Sequence, residues 1–329
     1  MRIFITGAAG FIGSHLCQAL LHRGHEVAGL DDLSTGRLEN LSAVSGDPRF
    51  RLVRGSVLDR AAVDELADGA DWVFHMAAAV GTFVIRDRTL DSMRTNLHGT
   101  ENVVAASHRN QARLLLASTS EIYGKNDKVG LREDDDRVIG SPLKSRWSYS
   151  EAKAIDESLV EAYVRQRGLR ATIARLFNTV GPRQTGRYGM VLPRFVLQAL
   201  RGDPLTVFGT GKQVRCFCHV LDVVPALIRL VAADSACGRA VNFGSSEQVS
   251  IEELAHRVIA ATGSASTIRN VSYQEAYGSG YEDMQRRVPD CGLAWDLVGF
   301  RARRSLDEII ESVISDQVAW TPAVAGAAS

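Results

Sequence analysis

The chain begins with a short apolar run that passes directly into a glycine-rich stretch, "RIFITGAAGFIGSHL". Gly7, Gly10 and Gly13 are spaced three residues apart, after a predicted strand and at the start of a predicted helix. Glycine at such places lets the backbone approach a pyrophosphate, and the helix N-terminus stabilises its charge. Three glycines alone are weak evidence, because turns also use them. Their position between strand and helix favours a dinucleotide site that includes Phe11 and Ile12.

The second apolar run, "EVAGLDD", ends at Asp31 and Asp32, and Asp31 lies 18 residues beyond the last of these glycines. A carboxylate there accepts hydrogen bonds from the adenosine ribose and repels a 2′-phosphate. The sequence therefore favours NAD over NADP, although Arg37 nearby in the chain weakens that preference. Asp59, after the third run, is expected either at the adenine or as a helix cap. Ala77, after the fourth, is a further expected cofactor contact.

Apolar runs alternate with helical patterns in the first half of the chain: "RIFITG", "EVAGLDD", "FRLVRGS", "DWVFHMAA", "RLLLASTS" and "RATIARLF". Strands buried on both faces have this composition, and the alternation predicts an α/β fold with a doubly wound parallel sheet. We expect a Rossmann-type NAD-binding domain over residues 1–177 and a smaller α/β substrate domain over residues 178–329, with some interleaving. In the second, Ser250–Glu253 and Ser305–Glu308 have the spacing of helix capping boxes. The tail after Trp320 is expected to be disordered.

Charge and cysteine content narrow the class of protein. Lysine plus arginine equals aspartate plus glutamate, 38 against 38, whereas binding to nucleic acid or an anionic membrane normally requires a basic excess. No apolar run reaches the ~18 residues of a membrane span, and we see no signal peptide. Five scattered cysteines are typical of free thiols in a reducing cytoplasm. "CFCH" at 216–219 lacks a second ligand pair, so we expect no metal.

The stretch "RWSYSEAKAIDESL" starts at Arg146 and has the features of a reactive helix. Ser148 and Glu151 have capping-box spacing, which predicts that the helix begins at Tyr149. Tyr149 and Lys153 are then four residues apart and share one face. A nearby ammonium favours the phenolate form of tyrosine, and such a tyrosine takes a proton from a sugar hydroxyl while hydride leaves for a nicotinamide. A tyrosine and a lysine at this spacing, taken alone, usually form a pair on the surface of a helix. Here they follow a dinucleotide fingerprint, which favours the catalytic interpretation.

Together these motifs resemble the extended short-chain dehydrogenase/reductase family, the NAD-dependent nucleotide-sugar epimerases, dehydratases and decarboxylases. The resemblance runs nearly end to end, through "TGAAGFIGSHL", "STSEIYG", "YSEAK", "RLFNTVGPR", "PLTVFGTGKQVRCF" and "SIEEL". It implies that Tyr149 and Lys153 are the catalytic pair and that Thr119 hydrogen-bonds the sugar. Family members usually form homodimers through two helices, here about residues 96–110 and 148–167.

The same resemblance implies where a UDP-sugar binds. Asn178 contacts the diphosphate, the Val191–Arg194 loop and Phe208 contact the uracil, and Arg215 contacts the phosphates. Each of these residues, taken singly, also has an ordinary structural interpretation: a turn cap for the asparagine, core for the phenylalanine and a surface charge for Arg215.

Glu121, in "STSEIYG", distinguishes the activities within this family. Simple 4-epimerases usually have a neutral residue there, and 4,6-dehydratases have an Asp-Glu pair, whose aspartate position is Ser120 here. "TSE" resembles the UDP-glucuronate decarboxylases. "KSRWSYSEAK", "GKQVRCF" and "YGSGYEDMQRRVPD" are similar to the decarboxylase domain of the aminoarabinose lipid-modification enzyme. An arginine of that domain, at the reacting carbons, aligns with Arg287, while Arg286 stands where the family has another residue.

The resemblance therefore implies NAD-dependent decarboxylation of UDP-glucuronate through a 4-keto intermediate, giving UDP-xylose or UDP-4-keto-pentose. Tyr149 is the expected base, and Tyr149 and Thr119 are expected to stabilise the enolate. Glu121, Ser120 and Arg287 are expected to hold the substrate and manage protonation at carbon 5. The main alternative is a UDP-sugar or UDP-uronate 4-epimerase, which needs no Glu121. A dehydratase and an NAD-binding protein without turnover rank lower.

Overall fold

The computed structural model describes residues 1–278 and 281–325, without the side chains of residue 82 and residues 320–325. Its strands are β1 (Arg2–Thr6), β2 (Glu26–Asp31), β3 (Phe50–Arg54), β4 (Trp72–His75), β5 (Arg113–Thr119), β6 (Val129–Leu131), β7 (Ala171–Leu176), β8 (Thr179–Val180), β9 (Leu205–Phe208), β10 (Val214–Cys216), β11 (Cys218–His219), β12 (Ala240–Phe243), β13 (Gln248–Ser250), β14 (Ile268–Val271) and β15 (Val288–Pro289). Its helices are α1 (Phe11–His22), α2 (Arg60–Ala67), α3 (Thr82–Asp87), α4 (Thr89–Arg109), α5 (Ser148–Arg167), α6 (Val191–Arg201), α7 (Val220–Ala232), α8 (Ile251–Thr262), α9 (Tyr273–Tyr277), α10 (Gly292–Val298) and α11 (Leu306–Ala325).

A parallel sheet of seven strands lies at the centre of the fold, in the order β12-β7-β5-β4-β1-β2-β3. The strand order reverses beside β1, because the chain moves outward through β2 and β3 and returns on the other side with β4. The connections after β1 and β4 therefore diverge, and ligands bind in the crevice that such a reversal opens. The predicted doubly wound α/β fold is confirmed, and all six apolar runs are strands of this sheet.

Helices cover both faces of the sheet. On one face α1, α7 and α10 pack through a cluster that includes Leu16, Leu227 and Phe243. On the other face α2, α4 and α5 pack through a second cluster. A strand between two such layers needs apolar side chains on both sides, which explains the near-continuous apolar runs. Strand β12 and helix α7 come from beyond residue 178, so the chain returns to the first sheet after it has left it.

A third apolar cluster lies outside the sheet, where α6, α8 and α11 pack together with β9. Two of its helices start as predicted. The Glu253 amide donates to Ser250 Oγ at 3.1 Å, and Ser305 and Glu308 bond reciprocally, at 2.8 and 3.3 Å. Helix α11 includes the first part of the tail expected to be disordered, and residues 326–329 lie outside the described residues.

The capping box predicted at Ser148 is wrong. Helix α5 begins at Ser148, and the Ser148 hydroxyl donates to the Ser145 carbonyl at 2.8 Å instead of accepting a bond from Glu151. The reason is that α5 continues from a short 3₁₀ turn, Ser145–Trp147, so its first residue already has helical backbone. A capping box needs an extended residue before the helix.

Among the helices described, none combines the length and apolar composition that crossing a lipid bilayer requires.

Candidate active site

One cleft of about 700 Å³ opens along the carboxyl ends of the central strands. It is lined by every residue that the sequence predicts for cofactor, reaction and substrate, except Lys153 and Asp59. Asp59 accepts hydrogen bonds from the amides of Ala61 and Ala62 and caps α2. Of its two predicted roles, the structure therefore shows the helix cap. Lys153 lies buried behind the cleft wall, with 1 % of its surface exposed.

The glycine-rich loop forms one end of the cleft. Gly7 has φ +69°, and a Cβ there would lie 2.8 Å from the Ala77 amide nitrogen. A Cβ on Gly13 would lie 2.0 Å from the Gly7 carbonyl oxygen, closer than any side chain tolerates. No side chain caps α1 after Gly10, which leaves the helix N-terminus for an anion. This cradle fits the pyrophosphate of a dinucleotide.

Asp31 is held rigidly at the same end of the cleft. Its carboxylate accepts the amides of Ala9 and Leu33, at 2.9 and 2.8 Å. Burial raises the pKa of Asp31, and the two backbone hydrogen bonds oppose that rise. Asp32 also lines the cleft and accepts the Ser34 amide at 2.9 Å. Two carboxylates therefore lie where the sequence predicts the adenosine ribose.

Tyr149 lies in the first turn of α5 and meets the end of β5. The Ser150 hydroxyl donates to the Glu121 carbonyl at 2.7 Å and joins the helix to the 3₁₀ turn Ser120–Tyr123. Thr119 ends β5 and lines the cleft with the buried Ser120. The carboxyl edge of the sheet thus brings the three "TSE" residues and the tyrosine into one wall.

The pKa of Tyr149 is not lowered, contrary to the prediction. Burial raises it, and the negative charges of Glu121 and Asp156 raise it further. Lys153, the expected source of positive charge, is paired with Asp156, with Nζ 3.3 Å from Oδ2. This rise in pKa could not be predicted from the sequence, because only folding places the opposing carboxylates.

Glu121 is clamped by two arginines. Arg146 Nη1 lies 2.6 Å from Glu121 Oε2 and Nη2 lies 3.3 Å from Oε1, and Arg287 Nη1 approaches Oε1 at 3.5 Å. Burial acts to raise the pKa of Glu121, but the charges of Arg146 and Arg287 outweigh it and hold the pKa at about 2. Glu121 is therefore ionised at neutral pH and fixed in orientation.

Arg287 is buried and lines the cleft. It donates to Asn178 Oδ1 at 3.2 Å, while its Nε has no hydrogen-bond partner among the described residues. Burial and the charge of Arg215 lower its pKa to about 10, so it stays charged at neutral pH. Asn178 donates in turn to the Cys216 carbonyl at 2.8 Å. Arg287 is thus a cation held in place with an unfilled donor.

The charges along this wall do not cancel. Arg215 donates to Asp283 Oδ2 at 3.0 Å, and all three arginines, Arg146, Arg215 and Arg287, line the cleft together with the carboxylates Glu121 and Asp283. Three guanidinium groups face two carboxylates, which leaves one positive charge. A buried excess of positive charge favours an anionic ligand.

The far end of the cleft is aromatic. The Arg194 guanidinium lies 4.1 Å over the Phe208 ring and donates to the Thr206 carbonyl at 2.8 Å. Tyr277 meets Phe208 edge-on and stacks on Tyr281 with ring centroids 4.1 Å apart. Residues 191–194 form the first turn of α6, so the expected loop there is wrong, although Val191 and Arg194 do line the cleft.

Sequence reasoning did not assign several residues of this site. The list comprises Arg146, Asp156, Tyr277, Tyr281 and Asp283. Arg146 had one available signal: it stands three residues before Tyr149, beside a tryptophan, where an exposed charge would be unusual. Tyr277, Tyr281 and Asp283 stand in "YGSGYEDMQRRVPD", and Asp156 stands in "RWSYSEAKAIDESL", but no spacing within either stretch indicates their roles in the site.

The "CFCH" stretch has a structural explanation. Cys216 and Cys218 are buried in short strands, and burial raises the pKa of Cys216 to about 12. His219 accepts the Leu221 amide and caps α7. Within residues 1–278 and 281–325, no group of three His, Cys, Asp or Glu side chains is placed to hold a metal ion.

Residues 3–244 match the model of the NAD dependent epimerase/dehydratase family. The chain belongs to this family. A UDP-N-acetyl-alpha-D-glucosaminuronate decarboxylase of Bacillus cytotoxicus is 38 % identical over 314 residues, which cover 95 % of this chain and 96 % of the relative. UDP-glucuronic acid decarboxylase 1 of Xenopus tropicalis is 36 % identical over 95 % of this chain and 71 % of its own. These matches confirm the family resemblance recognised in the motifs.

A solved structure shares the whole fold. The UDP-glucuronic acid 4-epimerase from Bacillus cereus, in complex with UDP-glucuronic acid and NAD, aligns with a TM-score of 0.88 over 97 % of this chain and 100 % of that chain, at 26 % identity. Both the decarboxylases and this epimerase are named for UDP-linked uronates.

Proposed function

We propose that this protein is an NAD-dependent decarboxylase of UDP-glucuronate, which it converts to UDP-xylose or UDP-4-keto-pentose. The observation that carries the proposal is the buried pair Arg146 and Arg287 on either side of Glu121. A neutral hexose has no charge to match the excess positive charge there. A uronate brings a carboxylate, and two relatives of this chain that are named as decarboxylases are 38 % and 36 % identical to it.

The cofactor we propose is NAD. The cradle at Gly7 and Gly13 suits its pyrophosphate, and the carboxylates of Asp31 and Asp32 favour free ribose hydroxyls over a 2′-phosphate. Gly10, Phe11, Ile12 and Ala77 complete the proposed contacts. When bound, NAD would accept hydride from carbon 4 of the sugar; return of that hydride gives UDP-xylose, and its retention as NADH leaves UDP-4-keto-pentose.

Tyr149 is the proposed base for the 4-hydroxyl of the sugar, and the Thr119 hydroxyl donates to the same oxygen. Since burial raises the Tyr149 pKa, removal of the proton requires a positive charge nearby, which we assign to Lys153. The carbon 4 ketone is then β to the carboxylate, so carbon dioxide leaves and the electrons rest on the ketone oxygen. Tyr149 and Thr119 stabilise this enolate by hydrogen bonds.

Arg287 lines the cleft and holds the carboxylate before it leaves, through a charge-assisted hydrogen bond from its guanidinium. Glu121 is ionised, with a pKa of about 2. It therefore acts as a hydrogen-bond acceptor, together with Ser120, that orients the donor of the carbon 5 proton. Asn178 and Arg215 hold the diphosphate, and Val191, Arg194 and Phe208 hold the uracil.

The test is incubation with UDP-glucuronate, and in parallel with UDP-N-acetylglucosaminuronate, with and without added NAD. Mass spectrometry reads the product. A product lighter by one carbon dioxide supports the proposal, and its mass distinguishes the pentose from the ketone. A product of unchanged mass but different retention means a 4-epimerase, and turnover of the N-acetylated substrate alone would transfer the proposal to that uronate.

We further propose a homodimer that assembles through α4 and α5, a cytoplasmic location, and a division into domains 1–177 and 178–329 with some interleaving. The dimer is supported by an exposed apolar side chain on α5, Ile155, which is 53 % exposed. The cytoplasmic location is supported by the five cysteines, which are free thiols. Light scattering after size exclusion tests the dimer: substitution Ile155→Glu should yield a monomer, and a wild-type monomer would exclude this assembly.

A further inference from the structure

A chain of buried polar side chains lies behind Lys153 and has no part in the scheme above. Lys153 pairs with Asp156, and the next members inward are Thr100, His75 and Thr6. His75 Nε2 lies 3.0 Å from Thr100 Oγ1, and His75 Nδ1 lies 2.7 Å from Thr6 Oγ1. Each of the five residues is at most 1 % exposed. They come from β1, β4, α4 and α5, so only the tertiary fold aligns them.

The inner end of this row is tied to the backbone, because the Ala77 amide donates to Thr6 Oγ1 at 3.1 Å. Burial lowers the pKa of His75 to about 3, so the ring is neutral and donates to one of its two hydroxyl neighbours while it accepts from the other. The Thr100 hydroxyl stabilises the ionised form of Asp156. The row of polar side chains therefore ends beside the Asp156 carboxylate.

Asp156 is nevertheless a poorly compensated charge. Burial raises its pKa, and neither of its oxygens completes a hydrogen bond within the described part of the chain. Its neighbour Glu157 is neutralised by Arg175, at 2.7 Å. The principal compensation for Asp156 is the Lys153 ammonium, and each of these two charges reduces the effect of the other.

We propose that Asp156 is a positioning residue that holds the Lys153 ammonium and offsets part of its charge, and so sets the pH range in which Tyr149 acts as a base. The inference rests on the proposed role of Tyr149. The negative charges of two carboxylates disfavour ionisation of the Tyr149 phenol: Glu121, from the turn after β5, and Asp156, from α5. Arg146 neutralises the first of them. Asp156 therefore decides how much of the lysine's charge reaches the tyrosine.

This balance suits the reaction. Tyr149 must take a proton from the 4-hydroxyl and return one at the end. A full, uncompensated ammonium would favour the phenolate so strongly that the return of the proton would become slow. A group that works as base and then as acid needs an intermediate proton affinity.

Substitution Asp156→Asn tests the inference, because it keeps the shape and removes the charge. We expect the acidic limb of the pH profile of carbon dioxide release to move lower by about one pH unit, the order of magnitude for removal of one nearby charge, with KM within about twofold of the wild type. Glu161→Gln is the matched control, since Glu161 lies on the same helix in an exposed pair with Arg165 and should not move the limb. Asp156→Ala removes the same charge but shortens the side chain, and it should move the acidic limb in the same direction. A limb that stays in place, or moves higher, in folded protein overturns the inference.

A second measurement separates this inference from the proposed function. If the wild type releases no carbon dioxide from either uronate, the proposed function fails. The Asp156 inference is then tested by tyrosinate absorbance of the NAD-loaded protein, as the difference between protein with and without Tyr149→Phe. Asp156→Asn should lower the pH at which that difference appears, and an unchanged titration would overturn the inference.

Discussion

Substitution Glu121→Gln probes the clamp at the centre of the site. It keeps the size of the side chain and removes the charge that Arg146 and Arg287 share. In the folded protein the Glu121 pKa is about 2, against an ordinary value of 4.5. Since a tenfold change in an ionisation equilibrium is about 1.4 kcal/mol, the ionised form stabilises the fold by about 3 kcal/mol at neutral pH. Breaking a buried pair by removing one partner usually costs a similar amount.

The sign of the pH dependence follows from the lowered pKa. The stabilisation is complete above the unfolded value of about 4.5 and is lost as the pH falls toward 2. The variant should therefore unfold more easily than the wild type at pH 7, by about 3 kcal/mol in urea titrations, and the difference should shrink toward zero near pH 2. Glu151→Gln is the matched control, because the exposed Glu151–Arg137 pair, at 3.3 Å, contributes at most about 1 kcal/mol.

Activity is measured on the folded fraction of the same variant. Carbon dioxide release from UDP-glucuronate should fall by about 10²–10⁴-fold, the usual loss for a group that organises proton transfer. Bound NAD should stay at the wild-type level, because Glu121 is not among the residues proposed to hold the cofactor. Turnover within a few-fold of the wild type would refute the assigned role of Glu121, and an unchanged stability at pH 7 would refute the clamp.

Three further predictions concern other parts of the cleft. Tyr149→Phe should lower turnover by at least about 10²-fold with NAD content and melting temperature unchanged, and a near-normal rate would remove the tyrosine from the mechanism. Arg287→Gln should lower kcat/KM for a UDP-uronate by about 10–100-fold, chiefly through KM, as loss of a charged hydrogen bond implies. Arg287→Lys keeps the positive charge and should recover part of the lost kcat/KM. Equal losses in the two variants would contradict the role of Arg287 in carboxylate binding. Gly13→Ala should cost about 1–3 kcal/mol or more by overpacking, because its Cβ would lie 2.0 Å from the Gly7 oxygen; calorimetry and NAD content should both show the loss, and a variant with normal NAD content would mean that the loop adjusts.

The sequence was sufficient for those features of the fold that local patterns encode. Continuous apolar runs predict strands buried on both faces, and "TGAAGFIGSHL" predicts the turn at which β1 meets α1, because only glycine leaves room there. It was less reliable at boundaries. The helix after Trp147 begins without a capping box, since a 3₁₀ turn precedes it. Residues 191–194 were expected as a loop and form the first turn of α6.

What the sequence alone determined is the fold and the types of chemical group at its carboxyl edge: the glycine loop, the "TSE" strand end and the Tyr149–Lys153 spacing. Only the tertiary structure decided the charge on those groups. It placed Arg146 and Arg287, 141 residues apart in the chain, on one carboxylate, and it set Asp156 against Lys153. The physical reason is that a pKa depends on burial and on every charge within a few ångströms, and those neighbours come from distant segments that only folding brings together.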